Sequence, residues 1–282
     1  MRDQNGNVGY WDERVNKDWG WIHKAEGLLE GVEANPAYTP QFSFDLSKDF
    51  VRLLLRCYSR GDSDYMSKGL LEKSLYYWEF SNQRAEVICA QNNLKICRSW
   101  TFELNNLNHY NWCFWIVGLA LALDIPDDQW QRLLKLIDGA GEDVLLDRVI
   151  ASRQSDRPIG SRLLHPKPYS RLLEAIDAPR EQQADLLREF VEHWYAELAR
   201  KSSDELWWYI YGDPVKHPLE KGSYFGRWCL EAVAAVKAFG LDDSQCLGHE
   251  HYPGDLLRPN GPSTHPVRPE PKRGWLSKLL GR

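Results

Sequence analysis

Apolar residues recur at three- and four-residue intervals along most of this chain, and nowhere do they alternate with period two, so the pattern predicts helices throughout. A first helix is expected from Gly9 to Glu30, with Trp11, Val15, Ile22 and Leu29 on one side and Asp12, Glu13, Lys17 and Lys24 elsewhere. Asn35 to Pro40 holds two prolines and reads as a loop. A second helix is expected to start at Ser47, a natural N-cap, and to carry Phe50, Leu53, Leu54 and Cys57 to a stop near Gly61. A third spans about Asp64 to Gln91, with Leu71, Leu75 and Trp78 sharing a face; its length leaves room for a break. Leu107 to Leu123 is the most apolar segment of the first half, and Pro126 is placed to open the next helix, DDQWQRLLKLID, which closes at Gly139. EDVLLDRVIAS follows, then Asp156 to Pro168, whose three prolines and one glycine predict an internal linker. A short helix around Leu172 precedes a long one from Pro179 to Arg200, with Leu186, Phe190, Trp194 and Leu198 at helical spacing.

The stretch from Ser223 to Leu257 organises the rest. Trp228, Ala232, Ala235 and Phe239, widened by Val233 and Val236, predict a nearly all-apolar helix that Gly240 ends. Beyond it come Asp242 and Asp243, the polar run Gly248-His249-Glu250-His251, and a turn at Pro253-Gly254-Asp255. The helix reads as core and its exit as surface. The fold class is all-α: a multi-helix bundle of two packed halves, 1–140 and 141–259, with a flexible proline-rich C-terminal tail over 260–282. Trp112-Cys113 and Trp228-Cys229 each stand beside an apolar run that ends in paired acids, an echo open to an internal repeat or to chance.

Composition sharpens this picture in two places. Thirteen tryptophans among 282 residues promise a core rich in large rings whose indole N–H groups need partners. The formal charge of −5 is unevenly spread: residues 266–282 hold five basic side chains and one acid, and that +4 leaves −9 on the rest. An acidic body repels nucleic acid and attracts basic partners. The N-terminal sequence lacks the apolar run of a signal peptide, and no stretch is long and apolar enough to span a membrane, so a cytoplasmic protein is expected. The six cysteines form no C-x-x-C and fall mostly in apolar helical pattern, which predicts buried thiols in a reducing compartment.

Motifs for chemistry are absent or incomplete. G-x-x-x-x-G-K-[ST] does not occur, and Gly222-Ser223-Tyr224-Phe225-Gly226 places its serine one residue early for a hydrolase elbow. His249 and His251 stand two apart, which suits a metal only in extended backbone with a third ligand such as Asp243 or Asp255; they read instead as a solvated loop pair. His109 lies among Asn106, Asn108 and Tyr110, as in a buried polar network. The adjacent acids Asp127-Asp128, Glu142-Asp143, Asp204-Glu205 and Asp242-Asp243 splay rather than converge on a substrate. No catalytic, cofactor-binding or metal-binding residue is assigned.

Two segments carry a resemblance. GSYFGRWCLEAVAAVKAFGLDD followed by HYPGDLLRP resembles the C-terminal half of the PoNi family of bacterial immunity proteins, and MRD followed by YWDERV is similar to its N-terminal half. Together they bracket roughly Met1 to Asn260. The resemblance implies an all-helical cytoplasmic protein, not an enzyme and without cofactor, that neutralises a cognate secreted toxin. That toxin would be a nuclease with a basic substrate groove, delivered by specialised secretion such as type VI in interbacterial competition. It implies no direct contact with nucleic acid or membrane, and leaves a homo-oligomer open. Charge complementarity speeds such encounters, and the expected partner-binding acids are Asp242, Asp243, Glu250 and Asp255, since no basic residue stands between Lys237 and Arg258. Two rivals remain: a helical-bundle enzyme using Glu231 or the His249-Glu250-His251 segment, with Arg227 as a structural partner for Glu231, and a scaffold or adaptor for a secretion-system effector that contacts it through the tail.

Overall fold

The first helix begins where an asparagine can satisfy its open N–H groups: the Asn7 side chain accepts from the Tyr10 amide at 2.8 Å, and α1 runs Val8–Glu30. The computed structural model describes residues 1–31, 36–63, 69–93, 102–201 and 204–267. Among them are α2 (Thr39–Arg60), α3 (Leu70–Gln91), α4 (Leu107–Ala122), α5 (Asp127–Ile137), α6 (Val144–Ala151), α7 (Pro166–Asp177), α8 (Arg180–Glu197) and α9 (Leu230–Phe239), and no strand. The all-α expectation holds.

Three expectations about elements are corrected. The second helix starts at Thr39, not Ser47, because Pro40 sits in its first turn, where a missing N–H costs nothing. Ser47 is instead buried in mid-helix, and its hydroxyl donates to the Ser74 carbonyl at 2.7 Å, joining α2 to α3. The organising helix is shorter than the apolar run: Ser223 to Cys229 is not helical, and α9 begins at Leu230. Trp228 is buried as expected, but from irregular chain, and Phe239 is only half-buried. The segment over 156–168 is no free linker. Arg157 Nε donates to buried Asp147 at 2.7 Å, Gly160 N donates to the same carboxylate at 3.1 Å, and Leu164 N donates to Asp143 at 2.8 Å. Its charges and amides clamp it onto the start of α6.

Other boundaries follow the pattern closely. The third helix is continuous from Leu70 to Gln91, while residues 64–68 of its expected start lie outside the described residues. The two most apolar helices, α4 and α9, cross at Gly118, where an added Cβ would meet the Leu230 carbonyl oxygen at 2.7 Å. Only glycine permits that approach, and it brings the two sequence halves onto one core. Trp112-Cys113 lies inside α4 whereas Trp228-Cys229 precedes α9, so the two dipeptides occupy different backbone.

Part of the tail belongs to the body. Thr264 donates its N–H and hydroxyl to Asp255 at 2.6 and 2.7 Å, and His265 is buried, its Nε2 2.8 Å from the Tyr58 hydroxyl. Residues 268–282 lie outside the described residues. Cys57, Cys113, Cys229 and Cys246 are buried thiols as expected; Cys89 is disulfide-bonded, which corrects the expectation for that residue. Among the described residues no helix is long and apolar enough to cross a membrane.

Candidate functional site

The chain leaving α9 turns at Gly240, which takes the left-handed conformation at φ 66° and closes the helix on the Val236 carbonyl at 2.9 Å. From there to Arg258 the backbone is short 3-10 turns at Ser244–Cys246 and Gly254–Leu257, and the four expected acids divide between two environments.

Asp243 and Asp255 point inward. Asp243 is 5% exposed; the Tyr252 hydroxyl donates to Oδ2, and Arg258 reaches both carboxylate oxygens, at 2.8 Å on Oδ2. That clasp closes the loop from 243 to 258. Asp255 is 4% exposed and receives Arg2 Nε together with the two Thr264 donors. Burial alone would raise its pKa, but the bonds from Arg2 and Thr264 outweigh burial and hold it at about 2. The basic partners absent from the local sequence arrive from Arg2 and Arg258.

Asp242 and Glu250 point outward. Asp242 is exposed and uses one oxygen to hold the Ser244 amide at 2.9 Å, which lowers its pKa. Glu250 is exposed and makes no ion pair among the described residues. Sequence reasoning missed what flanks them. The outer face of α8 carries Glu181, Asp185, Glu189 and Glu192, all exposed. Arg188 ties that face to the 3-10 turn by donating to Gln245 Oε1 and Glu192 Oε1, each at 3.0 Å. Burial lowers the pKa of His249, with Glu250 and Glu192 both acting against it, so acids from α8 and from the helix exit converge there. Their helical spacing, 181–185–189–192, was the signal available.

The histidine pair is spoken for. His251 is buried between Trp194 and Tyr195, with ring centroids at 5.6 and 5.3 Å, and burial pushes its pKa down to about 4. Its Nδ1 lies 3.1 Å from the Arg227 carbonyl, and its own amide donates to His249 Nδ1 at 3.1 Å. Among the described residues no group of three or more His, Cys, Asp and Glu side chains is placed to hold a metal ion. His109 is half-buried and its Nδ1 accepts the Glu103 amide at 3.1 Å.

Glu231 has no solvent exposure. Its Oε1 accepts from Asn111 Nδ2 at 2.8 Å and the Tyr169 hydroxyl at 2.9 Å. Arg227, its expected partner, instead lies over the Tyr195 ring at 4.4 Å and donates to the Tyr211 carbonyl at 3.1 Å.

The motif segment before α9 is held from below by α2. Arg56 donates to the Tyr224 and Gly222 carbonyls at 3.2 and 2.6 Å, and Ser59 donates to the Phe225 carbonyl at 3.0 Å. Trp228 Nε1 donates to the Ser59 hydroxyl at 2.8 Å, over Gly226, whose φ of 104° and crowded Cβ position exclude a side chain. From the N-terminus, Asp3 accepts the Tyr224 hydroxyl at 2.6 Å and Tyr10 donates to the Tyr224 carbonyl at 3.0 Å. The MRD and YWDERV segments thus pack directly on the aromatic-glycine motif.

Comparison with known proteins follows the same two segments. A family model described as PoNe immunity protein (PoNi), N-terminal, matches residues 8–135, and one described as PoNe immunity proteins (PoNi), C-terminal, matches residues 141–256. No protein in the curated set matches. Among solved structures, the crystal structure of protein PA2201 from Pseudomonas aeruginosa aligns over 91% of this chain and 90% of that one, with a TM-score of 0.66 at 16% identity, a likeness of fold alone. With both halves matched in order, the chain belongs to the PoNi family of PoNe immunity proteins.

Proposed function

We propose that this protein binds a cognate PoNe-type nuclease toxin directly and suppresses its activity, in the cytoplasm, where the toxin's nucleic-acid substrate lies. The observation that carries the reading is the pair of family matches across both halves of the chain. The docking face we assign is the outer side of α8 with the exit of α9: Asp185, Glu192, Asp242 and Glu250, all exposed. An acidic face of this kind complements a groove built to hold phosphates, and it steers encounter more than it adds affinity. Asp243 and Asp255, expected in the same role, are engaged inside the chain and support the platform instead.

The rival enzyme reading on Glu231 meets a side chain with no solvent access, and the one on His249 and His251 meets two Nδ1 atoms already bonded to backbone within the fold. The test is co-expression with the toxin encoded beside this protein. Rescue of growth, with a stable complex on size exclusion, is the expected outcome. Continued killing with both proteins soluble and present would overturn the proposal. Cell fractionation checks the compartment.

A further inference from the structure

Glu231 stands at the meeting point of four helices without a counter-ion. It lies in the first turn of α9; Asn111 reaches it from α4 and Tyr169 from α7, both on the same oxygen, Oε1. Asn111 is itself fixed, its Oδ1 accepting the Trp208 indole N–H at 2.9 Å. The second oxygen, Oε2, has no partner at hydrogen-bonding geometry, and neither has the indole nitrogen of Trp194 on α8, although that indole acts on the Glu231 carboxyl. Two neutral donors on one oxygen, and no cation on either among the described residues, leave the charged form without a counter-ion in a fully buried site.

No charge nearby resolves the matter for the anion. The titratable groups facing Glu231 are Tyr110 of α4, Tyr169 of α7 and Cys229 just ahead of α9, and the presence of Glu231 helps hold all three above their usual pKa. At α6, which also packs on α9, the capping residue Asp143 is bonded to Tyr110 and Arg148 stands over Phe239 at the far end. Asp255, beside the C-terminal side of the core, is engaged by Arg2. The helix start favours the ionised form, and full burial opposes it more strongly.

We propose that Glu231 is a proton-operated latch on the core: the seam of α4, α7, α8 and α9 packs around the neutral acid, and loss of its proton loosens that seam. Burial raises its pKa from 4.5 to about 7, against the bonds that would lower it, which places the event near neutrality. Because the folded value is the higher one, the stabilisation is fully present below pH 4.5 and is lost as pH rises through about 7.

The experiment compares the full chain with Glu231→Gln, whose amide is neutral at every pH and keeps the acceptor for Asn111 and Tyr169. Denaturant unfolding across pH 4 to 9 should show the folding equilibrium of the native chain weakening relative to the variant by roughly a hundredfold or more between pH 4.5 and 7. A constant difference across that range would overturn the proposal. So would a variant less stable than the native chain at pH 8, since the core would then need the anion. Infrared difference spectra of the native chain against Glu231→Gln separate this carboxyl from that of Asp3, whose pKa burial raises to about 6. A protonated carboxyl band present at pH 6 in the native chain, missing from the variant and gone by pH 9 supports the latch, and identical bands in the two proteins at pH 6 sink it.

Discussion

Asp242 and Asp243 are neighbours in sequence and opposites in the fold. Asp242 stands in solvent with one backbone bond, while Asp243 is buried under Tyr252 and Arg258. The contrast repeats eight residues later, between exposed Glu250 and buried Asp255. One acid of each pair builds the platform and the other remains available on it. Charge in the sequence therefore marks a candidate surface, and only the remote arginines, Arg2 and Arg258, decide which acids reach it. The interior motif segment and the acidic outer face are the same contrast at larger scale: one bonded on every side, the other facing out.

The sharpest way to break this contrast is at the motif. Trp228→Ala removes the bond to Ser59 and ring contacts with Tyr58 and His265 at 5.0 and 5.3 Å. Chemical denaturation should record a loss of about 3–5 kcal/mol; unchanged stability with lost toxin binding would transfer the motif to the functional face. Next comes Asp243→Asn, which strands Arg258. Since that guanidinium is a third exposed, the expected loss is roughly 2–3 kcal/mol, at the low end for a broken buried pair. A loss no larger than that of Asp242→Asn would erase the distinction between the two.

A smaller effect is expected from truncation after Asn260, which removes Thr264 and His265. Loss of their bonds should cost roughly 1–2 kcal/mol by thermal or urea unfolding. Burial lowers the His265 pKa to about 4, so its neutral form is the folded one, and stability falls as pH drops from 6.5 towards 4. Truncation should flatten that limb of the pH profile; an unaltered limb would place the titration elsewhere. The smallest change in stability belongs to the outer acids. Asp242→Lys with Glu250→Lys should leave the melting temperature unchanged while slowing toxin association and reducing its dependence on salt. An unchanged rate would move the docking face away from α8.

Much of the fold was legible because helical periodicity is local. Trp11, Val15 and Ile22, or Phe190 and Trp194, are buried at the spacing that the sequence shows. What escaped were decisions made by distant residues. Ser47 has the chemistry of a cap, but Pro40 starts the helix earlier and Ser74 claims its hydroxyl. Ser223 to Cys229 has helical periodicity, yet Arg56 and Ser59 draw its carbonyls away and Gly226 takes a conformation a helix forbids. Pro158 and Gly160 resemble a linker until Asp143 and Asp147 are seen to anchor the chain around them. The four acids were correctly placed in an irregular exit, but the flanking acids of α8 needed the third dimension.

Arg2 meets Asp255 across 253 positions of sequence, and Gln4 meets the Pro266 carbonyl across 262. Those contacts set an order in time. At synthesis rates of about 5–20 residues per second, the first residues wait roughly ten to fifty seconds before their partners leave the ribosome. Tyr224, which Asp3 and Tyr10 hold, also arrives near the end. Local helices such as α2 and α3 can pair while the chain is still emerging, but the motif segment cannot be seated until most of it has been made. A nascent copy of this protein therefore lacks a seated motif segment until Tyr224 has emerged, 221 positions after Asp3, and a cell relying on it depends on molecules completed beforehand.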